Sequence, residues 1–119
     1  MSLDWEQLIV DSADPAALGR WWADVLDWVV VDDAPGEFEI RAAPDRFPGL
    51  LFVSAPDAKV VKNRLHLDFR PDDQHAEVQR LLAAGATRVD IGQSDVSWVV
   101  LADPEGNEFC ILGSRRPAD

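Results

Sequence analysis

One cysteine, one methionine, two histidines and no tyrosine leave this 119-residue chain short of several kinds of chemistry. The single cysteine, Cys110, excludes an internal disulfide and suits a reducing cytoplasm. Basic residues are few: 11 Lys and Arg stand against 22 Asp and Glu, a formal net charge of −11. That balance argues against nucleic acid as a partner, because affinity for a phosphate backbone rests on Lys and Arg. No apolar run approaches the roughly 20 residues that cross a bilayer, so no membrane partner is expected. The opening residues Met1 to Glu6 lack the basic and apolar regions of a signal peptide, so the expected location is the cytoplasm. What is present is enough for a core. The chain is 47% hydrophobic and 28% charged, and its length fits one domain, residues 1–119. Acidity keeps such a protein soluble and mildly favours a cationic or neutral ligand. Both lysines, Lys59 and Lys62, stand just before Arg64 and Arg70, so one local patch remains for an anion.

Periodicity gives the order of elements. Trp5–Asp11 alternates as a strand, with Gln7, Ile9 and Asp11 on one face. Asp14-Pro15 then supplies an N-cap and a first-turn proline. Leu18, Trp21, Trp22, Val25 and Leu26 follow at helical spacing. Trp28–Val31, Glu37–Ala42 and Leu50–Val53 read as strands, and Asp32–Gly36 as a turn. The second half repeats this order. Arg64–Arg70 reads as a strand with Leu65, Leu67 and Phe69 on one face and His66 and Asp68 on the other. Asp72 or Asp73 caps a helix whose apolar face is Val78, Leu81 and Leu82, and Gly85 ends it. Thr87–Ile91, Ser97–Ala102 and Glu108–Leu112 follow as strands, the last entered through the turn Asp103–Asn107. The expected fold is α+β: two βαβββ modules, 4–54 and 63–113, forming an incomplete barrel around a central cavity. A ferredoxin-like sandwich is the alternative, and the extra strand per helix argues against it.

The element order, the segment Asn63-Arg64-Leu65-His66-Leu67-Asp68 and the turn Asp103-Pro104-Glu105-Gly106-Asn107-Glu108-Phe109-Cys110 resemble the vicinal oxygen chelate superfamily. Glyoxalase I, bleomycin-resistance proteins and extradiol dioxygenases belong to it, and the likeness is to its small glyoxalase-like domains of actinobacterial type. The resemblance implies a homodimer. It also implies a divalent metal held by His or Gln on the first strand, Glu on the fourth, His on the fifth and Glu on the eighth. Those positions fall on Gln7, on Leu51 or Phe52, on His66 and on Cys110. Glu108 is two residues before the matched position. A metal here would rest on His66, Gln7 and Cys110, and only two of the four matched positions, Gln7 and His66, keep a ligand of the usual type, so no cofactor is expected. A two-His, one-carboxylate iron site is out of reach, because His75 lies in the helix pattern.

The candidate site is built around His66 and Asp68. Two apart on one strand, they read either as a general acid–base pair or as a structural pair that satisfies itself. Arg64 either binds a ligand carboxylate or pairs with Asp68 or Glu108. Cys110, on the inward face of the last strand, is either a nucleophile beside His66 or a packed, inert thiol. Gln7, Asp11, Arg64, Glu108, Cys110 and Trp98 are the expected ligand contacts, with Trp98 and Trp5 as aromatic walls. The adjacent pair Trp21-Trp22 cannot face one core with both rings, which points to a subunit interface. The leading reading is a glyoxalase-like small-molecule enzyme that works without a metal. The alternatives are a non-catalytic, bleomycin-resistance-like protein that binds a drug, and a metal-dependent lyase.

Overall fold

The computed structural model describes residues 2–90 and 96–115. Its elements run β1 (Gln7–Ser12), α1 (Pro15–Leu26), β2 (Val29–Ala34), β3 (Glu37–Arg41), β4 (Gly49–Ser54), β5 (Leu67–Phe69), α2 (Gln74–Ala84), β6 (Thr87–Arg88), β7 (Val99–Ala102) and β8 (Glu108–Ile111). This is βαβββ twice. The strands form two four-stranded sheets, β1-β4-β3-β2 and β5-β8-β7-β6, and no closed barrel among the described residues. In each sheet the first strand of the module lies parallel to the last, and the other pairs are antiparallel. The chain divides into two compact units between Ala58 and Lys59. No helix of the described residues is long and apolar enough to cross a membrane.

In the first unit, the Asp14 carboxylate accepts the Ala17 N–H at 3.2 Å and Pro15 opens α1. Asp27 ends the helix in the left-handed region, φ 57°. The helix buries Leu18, Trp22 and Val25 over a sheet whose Phe38, Ile40 and Phe52 have no exposed surface. Gly19 is what lets the helix come so close. A Cβ there would overlap the Phe38 ring. Gly19→Ala is therefore expected to lower the thermal unfolding midpoint, at a cost of about 2 kcal/mol from overpacking; circular dichroism melts check it. Trp21 does find a place in its own subunit. Its ring stands edge-to-face on Trp22 with centroids 5.0 Å apart. The adjacent tryptophans therefore do not force an interface.

Strand β2 is longer than its apolar run, because Asp32, Asp33 and Ala34 pair with Glu39, Phe38 and Glu37 after a bulge. The turn shrinks to Pro35-Gly36, where Gly36 holds φ 79°.

In the second unit, Asp73 caps α2 by accepting the Ala76 N–H at 3.1 Å, and Gly85 closes it at φ 117°. Val78 and Leu81 are buried, and Phe69 meets Phe109 edge-to-face at 6.0 Å. The last turn is organised by one buried carboxylate. Asp103 Oδ1 accepts the N–H groups of Glu105 and Asn107 at 2.9 and 3.0 Å, and Gly106 takes φ 88°. That turn delivers Glu108 into β8.

The strand read over Arg64–Arg70 is three residues long. Leu65 is 79% exposed and does not join Leu67 and Phe69 on an apolar face. His66 lies just before β5 and not on it. The reason is local. The Glu108 N–H that would continue the ladder is taken by the Asn63 side chain at 3.2 Å. Strand β6 keeps two residues of the five expected, and Ile91 falls outside the described residues.

Candidate functional site

Alternation along β8 puts Phe109 and Ile111 on one face of its sheet and Glu108 and Cys110 on the other. Asp68 stands in register with Cys110 across the parallel pair. Asp68 and Lys62 are both near enough for their charges to act on the Cys110 sulfur. Burial, with the Asp68 charge and hydrogen bond, pushes the thiol up from 9.0 to about 11 against the weaker pull of Lys62. Cys110 is therefore a protonated, 5% exposed thiol at neutral pH. A nucleophile needs the opposite shift. Native protein at pH 8 should label with iodoacetamide far more slowly than unfolded protein, since roughly one thiol in a thousand is ionised. Asp68→Asn should speed labelling by removing the charge and the acceptor; an unchanged rate would contradict the assignment.

Glu108 is 7% exposed. Its carboxylate lies 2.9 Å from Lys59 Nζ and accepts the Asn63 N–H at 3.2 Å. Burial works to raise its pKa. The Lys59 hydrogen bond, the N–H groups of Asn63 and of Glu108 itself, and the Lys59 charge outweigh that burial and hold it below the ordinary 4.5. His66, half-buried, places Nε2 3.0 Å from the Asn63 carbonyl oxygen. Asp68 is exposed, and Arg64 is exposed with no ion-pair partner among the described residues. Glu108, one of the partners considered for Arg64, is held by Lys59.

The remaining candidates belong to other surroundings. Gln7 is half-buried in β1, in register with Gly49, and Asp11 is exposed, in register with Val53. Leu51 shares a row with Ile9 and Glu39, whereas Phe52 is in the core with Phe38. The fourth-strand position is thus Leu51, which offers no donor atom. Trp98 is 39% exposed and Trp5 66%, the latter donating its indole N–H to the Gln7 carbonyl at 3.2 Å. A cleft of about 360 Å³ in the first unit is lined by Asp14, Asp33, Glu37 and the Pro35-Gly36 turn, and none of the expected site residues borders it.

Neither Lys59, which the sequence places in a basic patch open to an anion, nor Asn63 is among the expected ligand contacts. The signal was there: the chain's only two lysines sit just ahead of β5, and Glu108 opens an otherwise apolar strand. The first unit carries a comparable pair. Glu39, 9% exposed, lies 2.9 Å from Arg41, whose guanidinium stacks 4.4 Å over Phe47. Gly49 makes room, since a Cβ there would stand 2.8 Å from Glu39 Oε2.

A metal is implied by the resemblance, and the donor set does not fit one. Leu51 cannot ligate, Cys110 stands where the resemblance puts a carboxylate, and Glu108, two residues away, is already neutralised by Lys59, so of the four matched positions only Gln7 and His66 offer the usual kind of donor. Among the described residues no three His, Cys, Asp or Glu side chains gather as a metal's ligands would.

The sequence model of a family described as "Glyoxalase-like domain" matches residues 7–112. No curated protein matches the chain. Among solved structures, a glyoxalase/bleomycin resistance protein/dioxygenase family enzyme from Burkholderia phytofirmans PsJN is similar at 19% identity and TM-score 0.73, covering 95% of this chain and 100% of that one. TnmS3, an antibiotic binding protein from Streptomyces sp. CB03234, is 19% identical with TM-score 0.68 over 97% of this chain and 99% of that one. The oxidase ChaP-H2 is 18% identical with TM-score 0.66 over 98% and 96%. At such identities the likeness carries the fold, and function is argued from the site.

Proposed function

This chain belongs to the glyoxalase-like domain family of the vicinal oxygen chelate superfamily, and on that premise we propose that it is a small-molecule enzyme working by proton transfer without a metal or other cofactor. The observation that carries this reading is Cys110. It stands where the resemblance puts a metal-binding carboxylate, in register with Asp68, and the fourth-strand position is Leu51, which has no donor atom. His66 and Asp68 then supply the chemistry. A histidine ring nitrogen with a free lone pair can take a proton from a ligand, and the reaction class is proton abstraction next to a carbonyl. Gln7, Asp11, Arg64, Trp98 and Glu108 are proposed as further contacts or supports for the ligand. The test is solvent deuterium uptake into a panel of 2-oxo and 2-hydroxy carbonyl compounds, followed by proton NMR with EDTA present. Uptake lost in His66→Ala supports the proposal. Uptake that needs added metal, or no uptake across the panel, contradicts it.

A second reading, a non-catalytic protein that sequesters a drug, is favoured by the net charge of −11 and by the similarity to an antibiotic binding protein. Bleomycin titrated against tryptophan fluorescence tests it, because Trp98 is exposed enough to report. A homodimer is proposed with either reading. Val60, Val61 and Leu65 stand 76–87% exposed on one loop, apolar surface of the kind that interfaces cover. Sedimentation should show a dimer at micromolar concentration, and Leu65→Glu should weaken it.

A further inference from the structure

Asn63 stands at the centre of a set of contacts that proton transfer by His66 and Asp68 does not itself require. Its N–H donates to Glu108 Oε2, and its side-chain carbonyl accepts the Glu108 N–H, both at 3.2 Å. The two residues thus clasp each other across the start of the β5–β8 pair. Lys59 holds the same carboxylate oxygen at 2.9 Å, so the clasp is charged, mostly buried and fixed at three points. The Asn63 backbone carbonyl is the group left over, and it lies 3.0 Å from His66 Nε2. A carbonyl oxygen has no proton to give. The hydrogen in that bond belongs to Nε2, so in the neutral ring Nδ1 carries the free lone pair. Among the described residues Nδ1 has no hydrogen-bond partner.

We propose that Asn63, clamped by Glu108 and Lys59, is a positioning residue that holds His66 as its Nε2–H tautomer and leaves Nδ1 as the atom that meets the ligand. The ligand group facing Nδ1 is then a donor: a hydroxyl, an N–H or an acidic C–H. A carboxylate or ketone oxygen would face a lone pair. The ligand-facing clause rests on the acid–base reading of His66; the tautomer is a property of the free protein.

The experiment is a long-range ¹H–¹⁵N NMR spectrum of the uniformly labelled full chain, ligand-free, at a pH where the ring is neutral. In wild type, Nε2 should show a protonated, pyrrole-type shift and Nδ1 an unprotonated, pyridine-type shift, with the Nε2 proton protected from water. Asn63→Ala should move the two nitrogen shifts toward one another and lose that protected proton. Asn63→Ser, too short to reach the Glu108 N–H, should do the same. Val61→Ala, on the same loop but outside the clasp, should change neither. A wild-type ring protonated at Nδ1 would overturn the proposal, and so would a folded Asn63→Ala or Asn63→Ser with an unchanged ring. The wild-type spectrum decides the tautomer however stable the variants are. If it is as expected while His66→Ala leaves deuterium uptake intact, the acid–base reading falls and the tautomer stands.

Discussion

Glu108→Ala is expected to destabilise the second unit by about 3 kcal/mol, the largest effect of any single change considered. The substitution strands two partners. The Lys59 ammonium, its side chain 21% exposed, loses the carboxylate 2.9 Å away, and the Asn63 N–H loses its acceptor. A charge left largely buried without its partner costs more than the intact pair ever contributed. The pH dependence has a definite sign. The folded pKa of Glu108 lies below the ordinary 4.5. Its contribution is therefore complete above the ordinary glutamate range and is lost as pH falls through the folded value. Thermal melts from neutral pH down to pH 3 should show wild type and Glu108→Gln converging in acid, because protonation removes from the wild type what the variant already lacks. A gap that widens in acid would contradict the assignment. At the alkaline end Cys110 acts in the other direction. Its raised pKa contributes stability below about 9, lost as pH climbs toward about 11.

His66→Ala is expected to lower deuterium uptake by a factor of about 100 to 10,000, the usual worth of a positioned general base. Its fold should survive, because His66 is half-buried at the end of a loop and its one hydrogen bond is to a backbone carbonyl. Asp68→Asn should cost less. Asp68 is exposed, and its clearest contact is with a thiol that does not ionise at neutral pH. Equal losses for the two variants would mean that they act as one unit. No loss for His66→Ala would remove it from the chemistry.

Where single residues decide a local structure, the chain was legible. Asp14-Pro15, Asp73, Gly85 and the Asp103–Asn107 turn each impose one geometry, and each sits at the expected boundary. The two βαβββ modules follow from those boundaries and from alternation. The site was less legible, because alternation says nothing about where a ladder stops. Leu65, Leu67 and Phe69 keep the period of two, yet Asn63 diverts the Glu108 N–H and the strand begins only at Leu67. His66 is consequently held by a loop carbonyl and not by a sheet. The ion pairs Lys59–Glu108 and Glu39–Arg41 were beyond pattern reading for a related reason. A Glu in an apolar strand signals a buried partner without naming it, and Lys59 reaches Glu108 from 49 positions away in the chain.

If this member of the family does its work without a metal, elemental analysis of the purified full chain, exposed to Zn, Ni, Mn and Fe and then exhaustively dialysed, should find well under one equivalent of any of the four, with no difference between wild type and His66→Ala. One equivalent of metal per chain in wild type, lost in His66→Ala, would contradict it.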